Sequence, residues 1–109
     1  MIRLDGKKAL ITGGSRGIGR ATAILFAQAG ADVAVNYARR ETAADEVKEE
    51  IERLGRECVT WRADIAQKKE VEEMIKSLGD RWGRIDILVN NAGIWTYGEM
   101  GNMDESVWA

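Results

Sequence analysis

"ITGGSRGIGRATAILFA", residues 11–27, sets Gly13, Gly14, Gly17 and Gly19 between an apolar run (Ala9, Leu10, Ile11) and an alanine-rich helical stretch. Such a passage is where a strand becomes a helix. A helix N-terminus presents unpaired N–H groups and a partial positive charge, which suit a pyrophosphate. Glycines let the chain turn tightly and let phosphate oxygens approach without a Cβ in the way. The spacing Gly13-x-x-x-Gly17-x-Gly19 departs from the G-x-G-x-x-G dinucleotide fingerprint. A glycine-rich turn before a helix is also an ordinary structural device, so its place in the fold has to decide.

Outward from the turn the pattern alternates. Residues 7–12 read as a short apolar strand, 17–29 as a helix stopped at Gly30, and 32–37 as a second strand. Ala44, Val47, Ile51 and Leu54 recur at three- and four-residue spacing in a charged background, so 41–54 is an amphipathic helix ended by Gly55. A third strand is expected over 57–62. Val71, Met74, Ile75, Leu78 and Trp82 mark another helix, ending near Gly83, and a fourth strand follows over 85–89. "MDESVW", 103–108, opens one more helix with Asp104 as its candidate N-cap. Nearly continuous apolar strands alternating with helices argue for an α/β fold with a parallel sheet covered on both faces. Right-handed crossovers give the strand order 3-2-1-4, with a crevice where the winding reverses between the first and fourth strands. The glycine turn lies at the carboxyl end of the first strand, beside that crevice.

Composition narrows the function. A chain of 109 residues is one domain, 1–109. Its net charge of −2 gives no basic footprint for nucleic acid. No apolar stretch is long enough to span a membrane and the first residues lack a signal-peptide core, so a cytoplasmic protein is expected. Cys58 is the single cysteine and reads as a small buried hydrophobe. With no histidine, these residues hold no Ser-His-Asp or Cys-His centre and none of the usual zinc triads, and no metal is expected.

"TGGSRGIGRATA" (12–23), "ADI" (63–65) and "NNAG" (90–93) together resemble the short-chain dehydrogenase/reductase family. Among its members the chain looks most like the 3-oxoacyl-[acyl-carrier-protein] reductases and the sugar and steroid dehydrogenases near them. The resemblance runs over all 109 residues and implies the first four strands of a Rossmann-type doubly wound sheet, incomplete relative to the family. It implies that Gly13, Gly14, Ser15, Arg16, Ile18 and Gly19 hold the cofactor pyrophosphate and adenosine ribose. It implies that Asp64 contacts the adenine amino group while Ile65 lines the adenine pocket. Asn91, Ala92 and Gly93 become cofactor wall, and Asn90 serves the sheet. Read without the resemblance, Asp64 is equally a helix-initiating residue in a surface loop. The two asparagines are equally side chains that bond backbone at a strand end.

An acid at the end of the second strand would bond a ribose 2′-hydroxyl and repel a 2′-phosphate. Here the strand ends Val35-Asn36-Tyr37-Ala38-Arg39-Arg40, with no acid before Glu41. Arginine forks match phosphate geometry, and Arg16 can reach the same corner. Arg39 and Arg40 are alternatively a solvated pair ahead of a helix. The missing acid favours NADP(H) over NAD(H), with Tyr37, Arg39 and Arg40 among the contacts. Trp82 belongs to the core stripe; Trp95 and Tyr97 sit in a loop that in the family borders the substrate entrance, and are equally side chains that pack the loop itself.

Carbonyl reduction in the family needs a serine and a Tyr-x-x-x-Lys pair, whose tyrosine donates a proton while the lysine lowers its pKa. In this chain Tyr37 is followed four residues on by Glu41 and Tyr97 by Gly101. No catalytic residue is therefore assigned, and the chain alone is expected to be inactive. Two readings remain open. One is an NADP(H)-binding segment of a carbonyl reductase or alcohol dehydrogenase, an oxidoreductase that moves hydride between NADP(H) and a carbonyl or hydroxyl substrate. The other is a non-catalytic truncated or engineered half-sheet. That half-sheet would pair through the open edge of its fourth strand, as a homo-oligomer or with a complementary fragment.

Overall fold

The computed structural model describes residues 3–15 and 17–91. The elements run β1 (Lys8–Thr12), α1 (Gly17–Gln28), β2 (Asp32–Tyr37), α2 (Glu41–Arg53), β3 (Cys58–Arg62), α3 (Lys68–Trp82) and β4 (Ile87–Asn90). The four strands are parallel and lie in the order β3-β2-β1-β4, as the crossovers require. The helix expected over 103–108, with Trp95 and Tyr97, falls outside the described residues.

Strand alternation divides the apolar residues between two faces. In register across the sheet, Leu88, Leu10, Ala34 and Val59 form a row that packs on α3 through Val71, Met74, Ile75 and Leu78. One residue further, Val89, Ile11 and Val35 form the opposite row, which meets Ala23 and Ala27 of α1 and Val47 and Ile51 of α2. Leu10, Ile11, Met74 and Leu78 are all fully buried, each worth about 1.5–3 kcal/mol in area removed from water. α1 turns Gly19, Ala23 and Ala27 inward at four-residue spacing, so a helix with small side chains lies close against the sheet. Cys58 sits in the same layer, where burial pushes its thiol up to about 12 and leaves it unreactive.

The helix stops fall where the glycines stand. After α1, Gly30 N–H bonds Ala27 O (3.0 Å) and Ala31 N–H bonds Phe26 O (3.0 Å); after α2, Gly55 bonds Glu52 O (2.9 Å) and Arg56 bonds Ile51 O (3.3 Å). These are paired Schellman closures around a left-handed glycine. Leu54, expected as the last member of the α2 stripe, is instead the residue at which that closure turns the chain, and it is 43% exposed.

β4 begins at Ile87 rather than at residue 85 because Asp86 is engaged otherwise. Its carboxylate accepts the Lys8 N–H (2.8 Å) while its own N–H bonds Lys8 O (2.8 Å). Asp86 belongs to a polar belt across the amino ends of the strands. Lys8 Nζ bonds Asp32 (2.6 Å), and Asp32 also accepts the Glu57 N–H (2.9 Å). Glu57 in turn accepts Trp82 Nε1–H (2.8 Å) and Arg81 Nε–H (3.1 Å). Trp82 is thus half core and half polar anchor, with the Lys8 ammonium 5.6 Å from its ring centre.

Candidate functional site

At the opposite, carboxyl ends of the strands a cleft of about 780 Å³ is lined by residues that follow β1, β2, β3 and β4. Its floor is the glycine turn. Gly13 (φ +63°) and Gly17 (φ +59°) adopt left-handed backbone and both line the cleft, as does Ile18, which is 76% exposed. Gly14 and Gly19 lie behind it. A Cβ on Gly14 would sit 3.0 Å from Val35 Cγ1, and one on Gly19 would overlap the Gly13 carbonyl oxygen and lie 2.6 Å from Asn91 Nδ2. The two buried glycines therefore let β2 and the first turn of α1 close onto the loop. Helix α1 opens beside the cleft with no acid in its first turn, so its unpaired N–H groups keep their positive end. Ser15 is 6% exposed, lines the cleft, and its hydroxyl has no partner among the described residues. A buried hydroxyl without a partner is costly unless a ligand supplies one.

A second wall comes from the end of β2. Tyr37, Ala38, Arg39 and Arg40 line it, and neither guanidinium has an ion-pair partner among the described residues. Burial, then the charges of Glu41 and Asp45, hold the Tyr37 phenol above its ordinary pKa, opposed by Arg62. The acids of α2 thus lie behind the tyrosine, and the strand end itself carries none.

The third wall is Ala63, Asp64 and Ile65. Asp64 Oδ1 accepts the Ala66 N–H (2.9 Å), its carbonyl accepts the Gln67 N–H (2.9 Å), and its own N–H donates to Glu70 Oε1 (3.0 Å). One carboxylate oxygen thus shapes the approach to α3, and Oδ2 has no partner among the described residues. Ile65 packs its side chain on the α3 core. At the end of β4, Thr12 Oγ1 donates to Asn90 Oδ1 (2.9 Å) and accepts the Asn91 N–H (3.0 Å). Asn90 faces the sheet and Asn91 lines the cleft.

Of the expected contacts, Gly13, Ser15, Ile18, Tyr37, Arg39, Arg40, Asp64, Ile65 and Asn91 meet on this cleft. Gly14 and Gly19 support it, and Arg16, Ala92 and Gly93 fall outside the described residues. Gly17, Asn36, Ala38 and Ala63 also line it and were not singled out as contacts in the sequence. The one available signal was Asn36, a polar residue inside the apolar strand Asp32–Tyr37.

Residues 7–109 match the sequence pattern of the short chain dehydrogenase family. The chain belongs to that family. The chain is 50% identical to the 3-oxoacyl-[acyl-carrier-protein] reductase of Synechocystis over 94 residues, 86% of the chain and 38% of the relative. It is 46% identical to the reductase FabG of Staphylococcus epidermidis over 102 residues, 94% of the chain and 42% of the relative. Among solved structures, a short-chain dehydrogenase of Burkholderia cenocepacia in complex with NADP superposes with a TM-score of 0.81 at 41% identity. It matches 93% of this chain with 44% of its own. The chain thus spans about two fifths of the length of these relatives. No helix among its described residues is long and apolar enough to cross a membrane.

Proposed function

We propose that the chain is the NADP(H)-binding segment of a short-chain carbonyl reductase. The observation that carries this reading is the cleft. It joins a helix N-terminus and the Ser15 hydroxyl to two arginines, none of these side chains having a partner among the described residues, at a strand end that bears no acid. The helix N-terminus and Ser15 suit a pyrophosphate, and Arg39 and Arg40 suit a 2′-phosphate. In this reading Asp64 Oδ2 accepts from an adenine amino group and Ile65 lines the adenine pocket, which the position of both on the cleft supports. Bound there, NADPH supplies the hydride for a carbonyl carbon. The relatives named 3-oxoacyl-[acyl-carrier-protein] reductases support a 3-oxoacyl-type substrate for the whole protein. The proton donor and the group that orients the carbonyl lie in no residue of this chain, so the segment binds and orients cofactor without turning it over.

The test is a titration with NADPH and, separately, NADH, read by quenching of the tryptophans. NADPH is expected to bind about tenfold or more tightly than NADH, and Arg39→Ala with Arg40→Ala to remove most of that difference. Equal affinities in the unsubstituted chain would count against the 2′-phosphate assignment. A second reading rests on β4, which pairs with β1 alone among the described residues and has half-buried side chains throughout. It makes the segment a self-associating half-sheet, and sedimentation as a concentration-independent monomer excludes it.

A further inference from the structure

Asn36 is the polar residue of a strand whose neighbouring positions are apolar core, and it is 2% exposed. Its side chain bonds at both ends of the amide. Oδ1 accepts the Gly13 N–H (3.2 Å), and Nδ2 donates to Ala63 O (3.0 Å) and Trp61 O (3.3 Å). Its own carbonyl accepts the next N–H of the turn, that of Gly14 (3.1 Å). Rotating the amide by half a turn would set Oδ1 against two carbonyl oxygens and Nδ2 against an N–H, so the bonding pattern fixes one orientation. Few other side chains could serve. Aspartate keeps the acceptor but turns a negative oxygen toward the carbonyls of Ala63 and Trp61. Valine or leucine would suit the strand but leave the Gly13 N–H and the Ala63 carbonyl unpaired.

The two loops joined this way leave different strands, β1 and β3, which are separated by β2. The Gly13 end is the pyrophosphate floor of the proposed site, and Ala63 immediately precedes Asp64, its adenine wall. We propose that Asn36 is a positioning residue that couples the pyrophosphate turn to the adenine wall, so that filling one half of the site orders the other. This rests on the NADP(H) reading of the cleft. Adenosine and pyrophosphate are covalently joined at a fixed length. A site that holds both at full strength must hold its two walls at a matching spacing.

The probe is adenosine 2′-monophosphate, which reaches the adenine wall and the arginine corner but carries no pyrophosphate. Amide hydrogen exchange is followed by NMR in the unsubstituted chain, in Asn36→Asp and in Asn36→Ser. In the unsubstituted chain the probe is expected to slow exchange at Gly13 and Gly14 several-fold, although both N–H groups bond Asn36 and are not offered to the ligand, and neither variant is expected to show that response. NADPH binding to Asn36→Asp is expected to weaken about tenfold. Combining this change with Asp64→Ala should then add less than the two losses together, because a displaced wall no longer presents Asp64. If adenosine 2′-monophosphate binds the unsubstituted chain and leaves Gly13 and Gly14 exchange unchanged, the coupling is overturned while the cofactor reading stands. Strict additivity of the two substitutions overturns it as well. If neither adenosine 2′-monophosphate nor NADPH binds, the cofactor reading itself falls and the coupling with it. Should both variants fail to fold, the exchange response of the unsubstituted chain still decides.

Discussion

At Gly19 an added Cβ would overlap the Gly13 carbonyl oxygen and crowd Asn91, whereas at Gly17 it would meet nothing within 4 Å and the obstacle is a φ of +59°. The two substitutions should therefore separate. Gly17→Ala pays only for left-handed backbone and is expected to cost about 1–2 kcal/mol, with NADPH binding kept within a few-fold. Gly19→Ala must displace backbone at the turn. A loss of about 1–3 kcal/mol is expected, together with most of the NADPH affinity, since the turn cannot keep its shape. Urea midpoints and the tryptophan titration on both variants check this, and a Gly19→Ala chain that binds like its parent would contradict it. The sequence made the turn legible as a unit but not the division of labour within it. Gly19 depends on Asn91, which follows β4 and arrives only when that strand lies beside β1. Asn36 was hidden for a similar reason. Its partners lie on β3 and in the loops after β1 and β3, so a polar residue in an apolar strand signals a role without saying which groups it joins.

The elements were the most legible level, because their apolar spacing and terminal glycines act locally. At Leu54 the departure was itself local, the helix-end closure at Gly55, whereas at Asp86 a long-range polar contact replaced a local rule and delays β4 by taking the Lys8 N–H on its side chain. The belt that contains it makes the strand ends sensitive to acid. Burial works to raise the Asp32 pKa, but the Lys8 hydrogen bond, the Glu57 N–H and the nearby cations outweigh it and hold the carboxyl below its ordinary 3.8. The Trp82 N–H and then Arg81 hold Glu57 below its ordinary 4.5, and the Lys8 N–H holds Asp86 below 3.8. A carboxylate with a depressed folded pKa contributes stability above its unfolded value and loses it as pH falls through the folded one. Stability should therefore be level above the ordinary values of 4.5 and 3.8 and decline progressively below them. Trp82→Phe keeps the aromatic packing but removes the N–H to Glu57. It should cost about 1 kcal/mol at neutral pH, and less than that if solvent screens the exposed part of the pair. It should also make the acid decline shallower. Denaturant unfolding of both proteins from pH 7 to pH 2 measures this, and an unchanged pH profile in the variant would remove Glu57 from the account.

At the scale of the molecule, in the proposed reading the first four strands assemble a cofactor cleft, while no Tyr-x-x-x-Lys pattern occurs in the 109 residues. The β3-β2-β1-β4 sheet brings the glycine turn, the arginine corner and the Asp64 wall to one end, and the polar belt secures the other. In that reading binding and chemistry separate along the chain. The proposed binding draws on N–H groups and side chains that leave β1, β2 and β3. The family resemblance implies a tyrosine with a lysine four residues on as the group that protonates the carbonyl oxygen, and here Tyr37 is followed at that spacing by Glu41 and Tyr97 by Gly101. Glu41 and burial move the Tyr37 phenol the wrong way for a proton donor near neutral pH, since they raise its pKa rather than lower it. The chain should therefore bind NADPH and fail to oxidise it in the presence of a 3-oxoacyl thioester, at any pH from 6 to 9. Absorbance of the reduced nicotinamide gives the rate, and the same sample titrated by tryptophan quenching gives the affinity. Binding without turnover assigns the segment to cofactor capture. Measurable turnover by this chain would require a proton donor outside the Tyr-x-x-x-Lys pattern, and would overturn the division of binding from chemistry.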